Sequence, residues 1–169
     1  MGLDFFRYVA FRDPEWQPGN LNFDADMNRY AADSQTLNAM DPNLRPFLSH
    51  GKLIQYHGWA DPQIAPGNST LYYQSVTKEM GGVAKIDGSY RLFMIPGMAH
   101  CGGGDGVSTF DMMAALEQWV EAGKAPDQIP AARVRNGKTE RTRPLCPYPQ
   151  LATYKGSGSL DDAANFTCR

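Results

Sequence analysis

Three features that often identify a class of protein are missing from this sequence. No apolar run approaches the ~20 residues that a membrane helix needs. The formal net charge is only −2, from 16 basic and 18 acidic side chains, so no basic face for nucleic acid is implied. The start, MGLDFFRYVA, places Asp4 and Arg7 inside its only apolar stretch, unlike a cleavable signal peptide. We therefore expect neither a membrane nor nucleic acid as a partner. Either the protein is cytosolic or its true start lies upstream.

Cysteine is scarce, and its pattern is uneven. The chain has three, Cys101, Cys146 and Cys168, and an odd number suggests one partner outside the chain or one free thiol. No two of them have the C-x-x-C spacing of a metal knuckle, which argues against zinc. A bridge between Cys146 and Cys168 would hold the proline- and glycine-rich tail, contributing about 3 kcal/mol in the chain-entropy model.

The middle of the chain alternates between strand and helix patterns. The apolar run at 52–57 predicts a strand, and a helix follows over 70–80, capped by Asn68 or Ser69 and stopped by Gly81-Gly82. Residues 90–95 predict a second strand, and Ser108 or Thr109 caps a helix that runs through residue 121 and ends at Gly123. This order predicts parallel strands with crossover helices, hence an α/β fold. Two strands are too few for a closed core, so we expect part of a larger domain.

The two ends of the chain are less regular. Residues 1–45 read as part of a cap or insertion, with a helix predicted over 26–40. Residues 24–28 begin like a calcium loop, but Arg29 stands where that loop needs glycine, which argues against calcium there. Near the other end, residues 133–135 predict a strand, and Asn136-Gly137 is a hairpin signal.

Two polar residues follow the two predicted strands. Asp61 lies in the loop after the first and His100 in the loop after the second, where doubly wound sheets bind ligands. An acid and then a histidine is the chain order of the last two members of an α/β-hydrolase triad. Taken alone, Asp61-Pro62 would be interpreted as a turn and His100 as a polar surface group. His57 and His50 are interpreted as structural and polar-loop residues.

The nucleophile of such a triad is not evident in the sequence. No serine lies in a G-x-S-x-G motif, and none sits between a strand and a helix upstream of Asp61. The glycine run at 102–104 allows an oxyanion or phosphate loop, but a flexible turn into the next helix is the preferred interpretation.

Longer stretches of the sequence resemble the tannase and feruloyl esterase family. The resemblance covers essentially the whole chain. Its segments, in the order of the chain, are GKLIQYHGWADP at 51–62, YRLFMIPGMAHCGGG at 90–104, WVEAGKAPD at 119–127, RPLCPYPQ at 143–150 and DAANFTC at 162–168.

The resemblance implies a secreted or periplasmic α/β-hydrolase with a large lid inserted before the triad acid. Residues 1–45 would be the end of that lid, and residues 46–169 the carboxy-terminal part of the catalytic domain. Asp61 matches the triad acid and His100 the triad base. A calcium ion is implied in the part of the lid that this sequence does not contain.

The resemblance also assigns the cysteines and a substrate contact. Cys101 matches a cysteine that is bonded to one beside the nucleophilic serine, which would explain the odd count. Cys146 and Cys168 match the family's terminal bridge. Gln63 and Ile64 resemble positions that line the acyl pocket. The alternative interpretation is that they only pack within their loop.

The expected function is therefore part of a serine carboxylic ester hydrolase acting on small aromatic esters of the feruloyl or galloyl type. The nucleophile, the oxyanion hole and most of the lid would lie in a missing amino-terminal part of the same polypeptide. Met1 would then be an internal methionine or a truncated gene start, and these residues alone would be inactive. The alternative is a non-catalytic remnant or an interaction module derived from that fold.

Overall fold

The structure is a computed structural model that describes residues 2–28 and 38–169. The chain forms two compact units, residues 1–41 and residues 42–169. The predicted boundary near residue 45 lies close to this division. The assignment of the first unit to the end of a lid stays a prediction.

The first unit is organised around stacked aromatic rings. Helix α1 (Gly2–Asp4) continues into a π-helix at Phe5–Ala10, and a 3₁₀ turn follows at Pro18–Asn20. The rings of Phe6 and Phe11 stack on Trp16 at centroid distances of 5.2 and 4.8 Å, within the range of favourable aromatic pairs. This cluster gives the irregular amino-terminal stretch a small buried centre.

A helix, α2 (residues 23–28), occupies the stretch that resembles the start of a calcium loop. Asn22 caps it, because its Oδ1 accepts from the Ala25 N–H at 2.9 Å. The Asp26 carboxylate in turn accepts from the Asn22 N–H at 2.8 Å, so this acidic residue serves the helix start. The rest of the helix predicted over 26–40 falls mainly on residues 29–37, outside the described residues, and residues 38–40 form no regular element.

The second unit contains the alternating elements. In chain order they are α3 (Arg45–Leu48), β1 (Leu53–Gly58), α4 (Gly67–Glu79), α5 (Val83–Ile86), β2 (Tyr90–Ile95), β3 (Thr109–Phe110), α6 (Met112–Ala122), β4 (Ile129–Arg135), β5 (Lys138–Leu145), β6 (Ala152–Tyr154), a 3₁₀ turn at Ala163–Asn165, and β7 (Phe166–Cys168).

Strands β1 and β2 pair in parallel, as the alternation of patterns predicts. Their register runs from Leu53 opposite Tyr90 to Gly58 opposite Ile95, so both strands end at the same edge. All six residues of β2 are buried, as is typical of a strand covered on both faces. Its side chains alternate between two core clusters. Tyr90, Leu92 and Met94 pack with α4 and α5, whereas Phe93 and Ile95 pack with β4 and β5.

The predicted caps of the two long helices are wrong, although their ends are confirmed. Helix α4 starts after Pro66, whose fixed φ suits a helix start, and Ser69 lies inside the first turn. Its last turn closes through the Gly82 N–H on the Thr77 carbonyl at 2.8 Å. Helix α6 is capped by Asp111, which accepts from Ala114 N–H at 2.9 Å, because Thr109 and Phe110 are held extended against β4.

The carboxy-terminal stretch forms a hairpin and a terminal segment that is held by a disulfide bridge. Asn136 and Gly137 have φ of 48° and 74° between β4 and β5, as a tight hairpin turn requires. The predicted bridge between Cys146 and Cys168 is confirmed, with their Cα atoms 5.4 Å apart. The bridge joins the end of β5 to the end of β7. Within residues 2–28 and 38–169, no helix is both long and apolar enough to cross a membrane.

Candidate active site

The loops that follow β1 and β2 are joined to each other by the backbone. The Trp59 N–H donates to the Ile95 carbonyl at 2.9 Å, and the Ala60 N–H donates to the Met98 carbonyl at 3.1 Å. These bonds continue the ladder of the parallel pair past the ends of the strands. Asp61 therefore follows directly after a segment that is bonded to the loop carrying His100.

Gly58 allows the two loops to approach this closely. A Cβ at this position would lie 2.1 Å from the Met98 carbonyl oxygen and 2.8 Å from that of Ala99. Both neighbours are backbone atoms, so no side-chain rotation could relieve the overlap. The glycine at the end of β1 is thus required by the close approach of the loop that carries His100.

The Asp61 carboxylate accepts four hydrogen bonds. Its Oδ1 accepts from the backbone N–H groups of Gln63 at 2.8 Å and Ile64 at 3.0 Å. Its Oδ2 is hydrogen-bonded to His100 Nδ1 at 2.8 Å and to His57 Nε2 at 3.1 Å. The side chain is only 3% exposed. The carboxylate is therefore fixed in position from both sides.

These hydrogen bonds determine the charge of Asp61. Burial alone would raise its pKa, because desolvation penalises the charged form. The bonds from Ile64 N–H, His100, Gln63 N–H and His57 outweigh burial, and together they hold the pKa of Asp61 well below its ordinary value. The residue is therefore a carboxylate throughout the neutral and mildly acidic range.

His100 is presented differently from Asp61. Its side chain is 38% exposed, and Asp61 is the one hydrogen-bond partner found for its ring among the described residues. The bond engages Nδ1, so Nε2 on the other side of the ring is the nitrogen suited to proton transfer. This is the geometry of an imidazole oriented by a carboxylate in acid–base catalysis.

The glycine run after His100 closes its loop and does not lead straight into a helix. The Ala99 N–H donates to the Gly103 carbonyl at 3.3 Å, and the Gly106 N–H donates to the Gly97 carbonyl at 2.9 Å. Gly104 has a φ of 83°, and a Cβ there would lie 2.3 Å from the Gly97 oxygen. The run is thus a compact turn, and strand β3 lies between it and helix α6, so it does not lead directly into the helix as predicted.

A cleft of about 260 Å³ opens beside the two residues. Its lining residues are Tyr56, His57, Gly58, Asp61, Ile64, Met98, His100 and Cys101. Ile64 lies in this wall, whereas Gln63 is not part of it and contributes its backbone N–H to Asp61. The substrate contacts expected of Gln63 and Ile64 stay predictions. Cys101 is exposed and free, and its expected partner outside this sequence likewise stays a prediction.

His57 is the site residue that sequence reasoning missed. It was interpreted as structural, yet its Nε2 bonds Asp61 and its Nδ1 lies 2.7 Å from Ser69 Oγ. The signal that could have found it is its place one residue before the end of the strand, four residues before Asp61. Ser69 is a poor nucleophile candidate, because it is buried in the first turn of α4 and its hydroxyl also accepts from Gln55.

Metal ligands are not gathered at this site. Residues 2–28 and 38–169 hold no group of three or more His, Cys, Asp or Glu side chains placed to bind a metal ion. The calcium ion that the resemblance implies stays a prediction about a segment outside this sequence.

Comparison with known proteins identifies relatives of this fold and site. The sequence model of the family described as tannase and feruloyl esterase matches residues 7–169. The mono(2-hydroxyethyl) terephthalate hydrolase of Piscinibacter sakaiensis is 49% identical over 121 residues, which cover 70% of this chain and 20% of that protein. A probable feruloyl esterase B-2 of Aspergillus fumigatus is 35% identical over 98% of this chain and 35% of its own length.

A solved structure of a related protein has the same fold over this region. The crystal structure of feruloyl esterase B from Aspergillus oryzae superposes with a TM-score of 0.88 at 31% identity, over 98% of this chain and 36% of that one. The chain thus spans about a third or less of the length of these relatives. The chain belongs to the tannase and feruloyl esterase family.

Proposed function

We propose that these residues are the carboxy-terminal part of the catalytic domain of a serine carboxylic ester hydrolase with an α/β-hydrolase fold. Asp61 is its triad acid and His100 its triad base. The nucleophilic serine and the oxyanion hole belong to a segment outside these 169 residues. Residues 1–45 are the end of a lid domain.

The observation that carries the proposal is the hydrogen bond of 2.8 Å between Asp61 Oδ2 and His100 Nδ1. It joins the loops that follow two parallel strands, at the edge where such sheets bind ligands. An ionised, buried carboxylate on Nδ1 keeps the proton of the neutral imidazole on that nitrogen, so Nε2 is free to accept another. A general base needs this tautomer and this orientation.

The proposed reaction proceeds through an acyl-enzyme. His100 Nε2 takes the proton of the serine hydroxyl as the serine oxygen bonds to the ester carbonyl carbon, and Asp61 stabilises the imidazolium that forms. The imidazolium gives that proton to the departing alcohol as the ester C–O bond breaks. A water molecule then attacks the acyl group, loses its proton to His100, and releases the carboxylic acid as the proton returns to the serine.

Aromatic esters of the feruloyl or galloyl class are the proposed substrates. Tyr56, Ile64 and Met98 give the cleft beside Asp61 and His100 an apolar wall, which suits an aromatic acyl group. The names of the relatives point the same way, because they include feruloyl esterases and a hydrolase of a terephthalate monoester.

A secreted or periplasmic location is part of the proposal. The bridge between Cys146 and Cys168 supports it, because structural disulfides form and persist mainly in oxidising compartments. Cys101, exposed beside His100, is proposed to bond a cysteine next to the nucleophilic serine. Such a bridge would tie the serine and histidine loops together.

The test is to express the complete open reading frame that contains these residues and to assay it on methyl ferulate, methyl gallate and mono(2-hydroxyethyl) terephthalate. Hydrolysis of at least one ester, abolished by His100→Ala, is the expected result. Failure on all three by a folded protein would contradict the proposal and favour the alternative of a non-catalytic interaction module.

A further inference from the structure

We propose that His57 is a positioning residue for the ester hydrolysis, held in one neutral tautomer by a buried hydrogen-bond chain that runs through Ser69 and Gln55 to Tyr90. The inference rests on the proposed function, since His57 acts through Asp61 and not on the substrate. It assigns a role to a side chain that neither belongs to the triad nor reaches the reacting atoms.

The chain begins at Tyr90, which is fully buried in the core. Burial raises the pKa of Tyr90, so its phenol keeps its proton and can donate. The Tyr90 hydroxyl donates to Gln55 Oε1, and Gln55 Nε2 donates to Ser69 Oγ at 3.0 Å. Two strands and helix α4 thus contribute one residue each, and the direction of donation runs from the core toward the site.

The hydroxyl hydrogen of Ser69 determines which ring nitrogen of His57 carries the proton. Ser69 accepts from Gln55, so its single hydroxyl hydrogen is available for His57 Nδ1, 2.7 Å away. His57 Nδ1 is then an acceptor without a proton, and the ring proton lies on Nε2. That nitrogen is 3.1 Å from Asp61 Oδ2 and donates to it. Each contact of the chain thus pairs one donor hydrogen with one acceptor.

The other two proton arrangements fit the contacts less well. With the opposite tautomer, the bare Nε2 lone pair of His57 would face the Asp61 carboxylate, and two acceptors would repel each other. With a cationic ring, Ser69 Oγ would accept from both His57 and Gln55. Its own hydrogen would then have no acceptor among the hydrogen bonds of the described residues.

The consequence for the reaction concerns the position of one oxygen atom. Asp61 Oδ2 lies between the two imidazoles, 3.1 Å from His57 Nε2 and 2.8 Å from His100 Nδ1. The bond from His57 holds this oxygen in place before His100 becomes charged. The carboxylate therefore need not reorient during proton transfer, which is the condition for electrostatic preorganisation.

The test compares three substitutions in the active full-length protein. His57→Phe removes the donor to Asp61, and we expect kcat to fall about 10- to 100-fold with KM nearly unchanged, because His100 loses its alignment. The acidic limb of the kcat/KM profile should move to higher pH, because an Asp61 carboxylate that accepts one hydrogen bond fewer stabilises the protonated form of the general base more strongly. His57→Gln, which can still present an N–H to Asp61, should recover most of kcat.

The matched control is His50→Phe, since His50 is exposed and bonds its neighbour Ser49 at 3.2 Å. It should leave kcat and the pH profile as in the wild type. A wild-type kcat and pH profile in His57→Phe would overturn the inference. So would a His57→Gln enzyme as slow as His57→Phe with an unmoved profile, because that pattern marks a merely structural residue.

The tautomer can be measured without any turnover. Nitrogen-15 NMR of the histidine rings should show His57 protonated at Nε2 alone, and Ser69→Ala should weaken this preference whereas Ser75→Ala should not. A His57 ring protonated at Nδ1 would overturn the inference even in an active enzyme. An inactive wild type with the expected tautomer would instead contradict the proposed function, and the inferred hydrogen-bond chain would still be supported.

Discussion

The loop after β1 and the loop after β2 hold their polar residues in opposite ways. Asp61 is 3% exposed and accepts four hydrogen bonds, two from backbone and two from imidazole rings. His100 is 38% exposed, and a single bond to Asp61 orients it. Asp61 is enclosed by its own loop, whereas His100 is exposed at the cleft.

This difference fits the tasks proposed for Asp61 and His100 in proton transfer. A residue that only stabilises charge performs best when it is fixed, ionised and shielded from water. A residue that exchanges protons with substrate and water must be accessible to both. The two loops provide these two environments side by side, with Asp61 Oδ2 2.8 Å from His100 Nδ1.

Removing the exposed partner should have the largest effect. His100→Ala removes the proposed general base, so we expect kcat to fall by about 10⁵- to 10⁶-fold. Steady-state kinetics on methyl ferulate would measure this loss. An activity within about tenfold of the wild type would show that another base serves the reaction.

Removing the charge of the enclosed partner should cost less, because the base itself remains. Asp61→Asn keeps the size of the side chain but faces His57 and His100 with a neutral amide, and the tautomer of His100 is no longer fixed. We expect kcat to fall by about 10³- to 10⁴-fold. A folded Asp61→Asn enzyme with nearly full activity would remove Asp61 from the mechanism.

Forcing the two loops apart should have a smaller effect on rate and a measurable effect on stability. In Gly58→Ala the new Cβ overlaps the Met98 carbonyl, so the His100 loop must move. We expect kcat to fall by about 100-fold and the free energy of unfolding by about 1–3 kcal/mol. Gly67→Ala, where a Cβ meets nothing within 4 Å, is the control; it should leave kcat unchanged and should not lower the free energy of unfolding.

The enclosed charge should also appear in the pH dependence of stability. Because the folded state lowers the pKa of Asp61, its contribution is fully present above the unfolded pKa of about 4 and is lost as pH falls further. The stability difference between the wild type and Asp61→Asn should therefore shrink as the pH falls below about 4. Denaturant titrations at several pH values would measure it. A difference that grows as the pH falls below about 4 would contradict the assigned direction.

Local patterns in the sequence predicted the elements that position the site. The apolar run at Tyr90–Ile95 predicted β2 with its observed bounds, and Gly81-Gly82 and Gly123 predicted the ends of two helices. Asp61 and His100 could be selected because each follows its own strand in the chain order of a hydrolase triad. These predictions depend only on residues close together in the sequence.

Contacts between distant residues could not be predicted. Thr109 and Phe110 were expected to begin a helix, but their pairing with Ala132 and Ala131 of β4 holds them extended. Strand β5 is rich in charged residues and threonine and shows no apolar alternation, so the hairpin was recognised only at its turn. The hydrogen bonds of His57 and Gln55 to Ser69 join residues 12 and 14 positions apart in the sequence, and no local pattern predicts such contacts.

The central claim is that Asp61 acts only through His100, and a double-mutant cycle on kcat tests it most directly. We predict that the Asp61→Asn, His100→Ala double variant is about as slow as His100→Ala alone, because the carboxylate has no base left to orient. Losses that multiply, so that the double variant is a further 10³-fold slower or more, would contradict the account and give Asp61 a separate role.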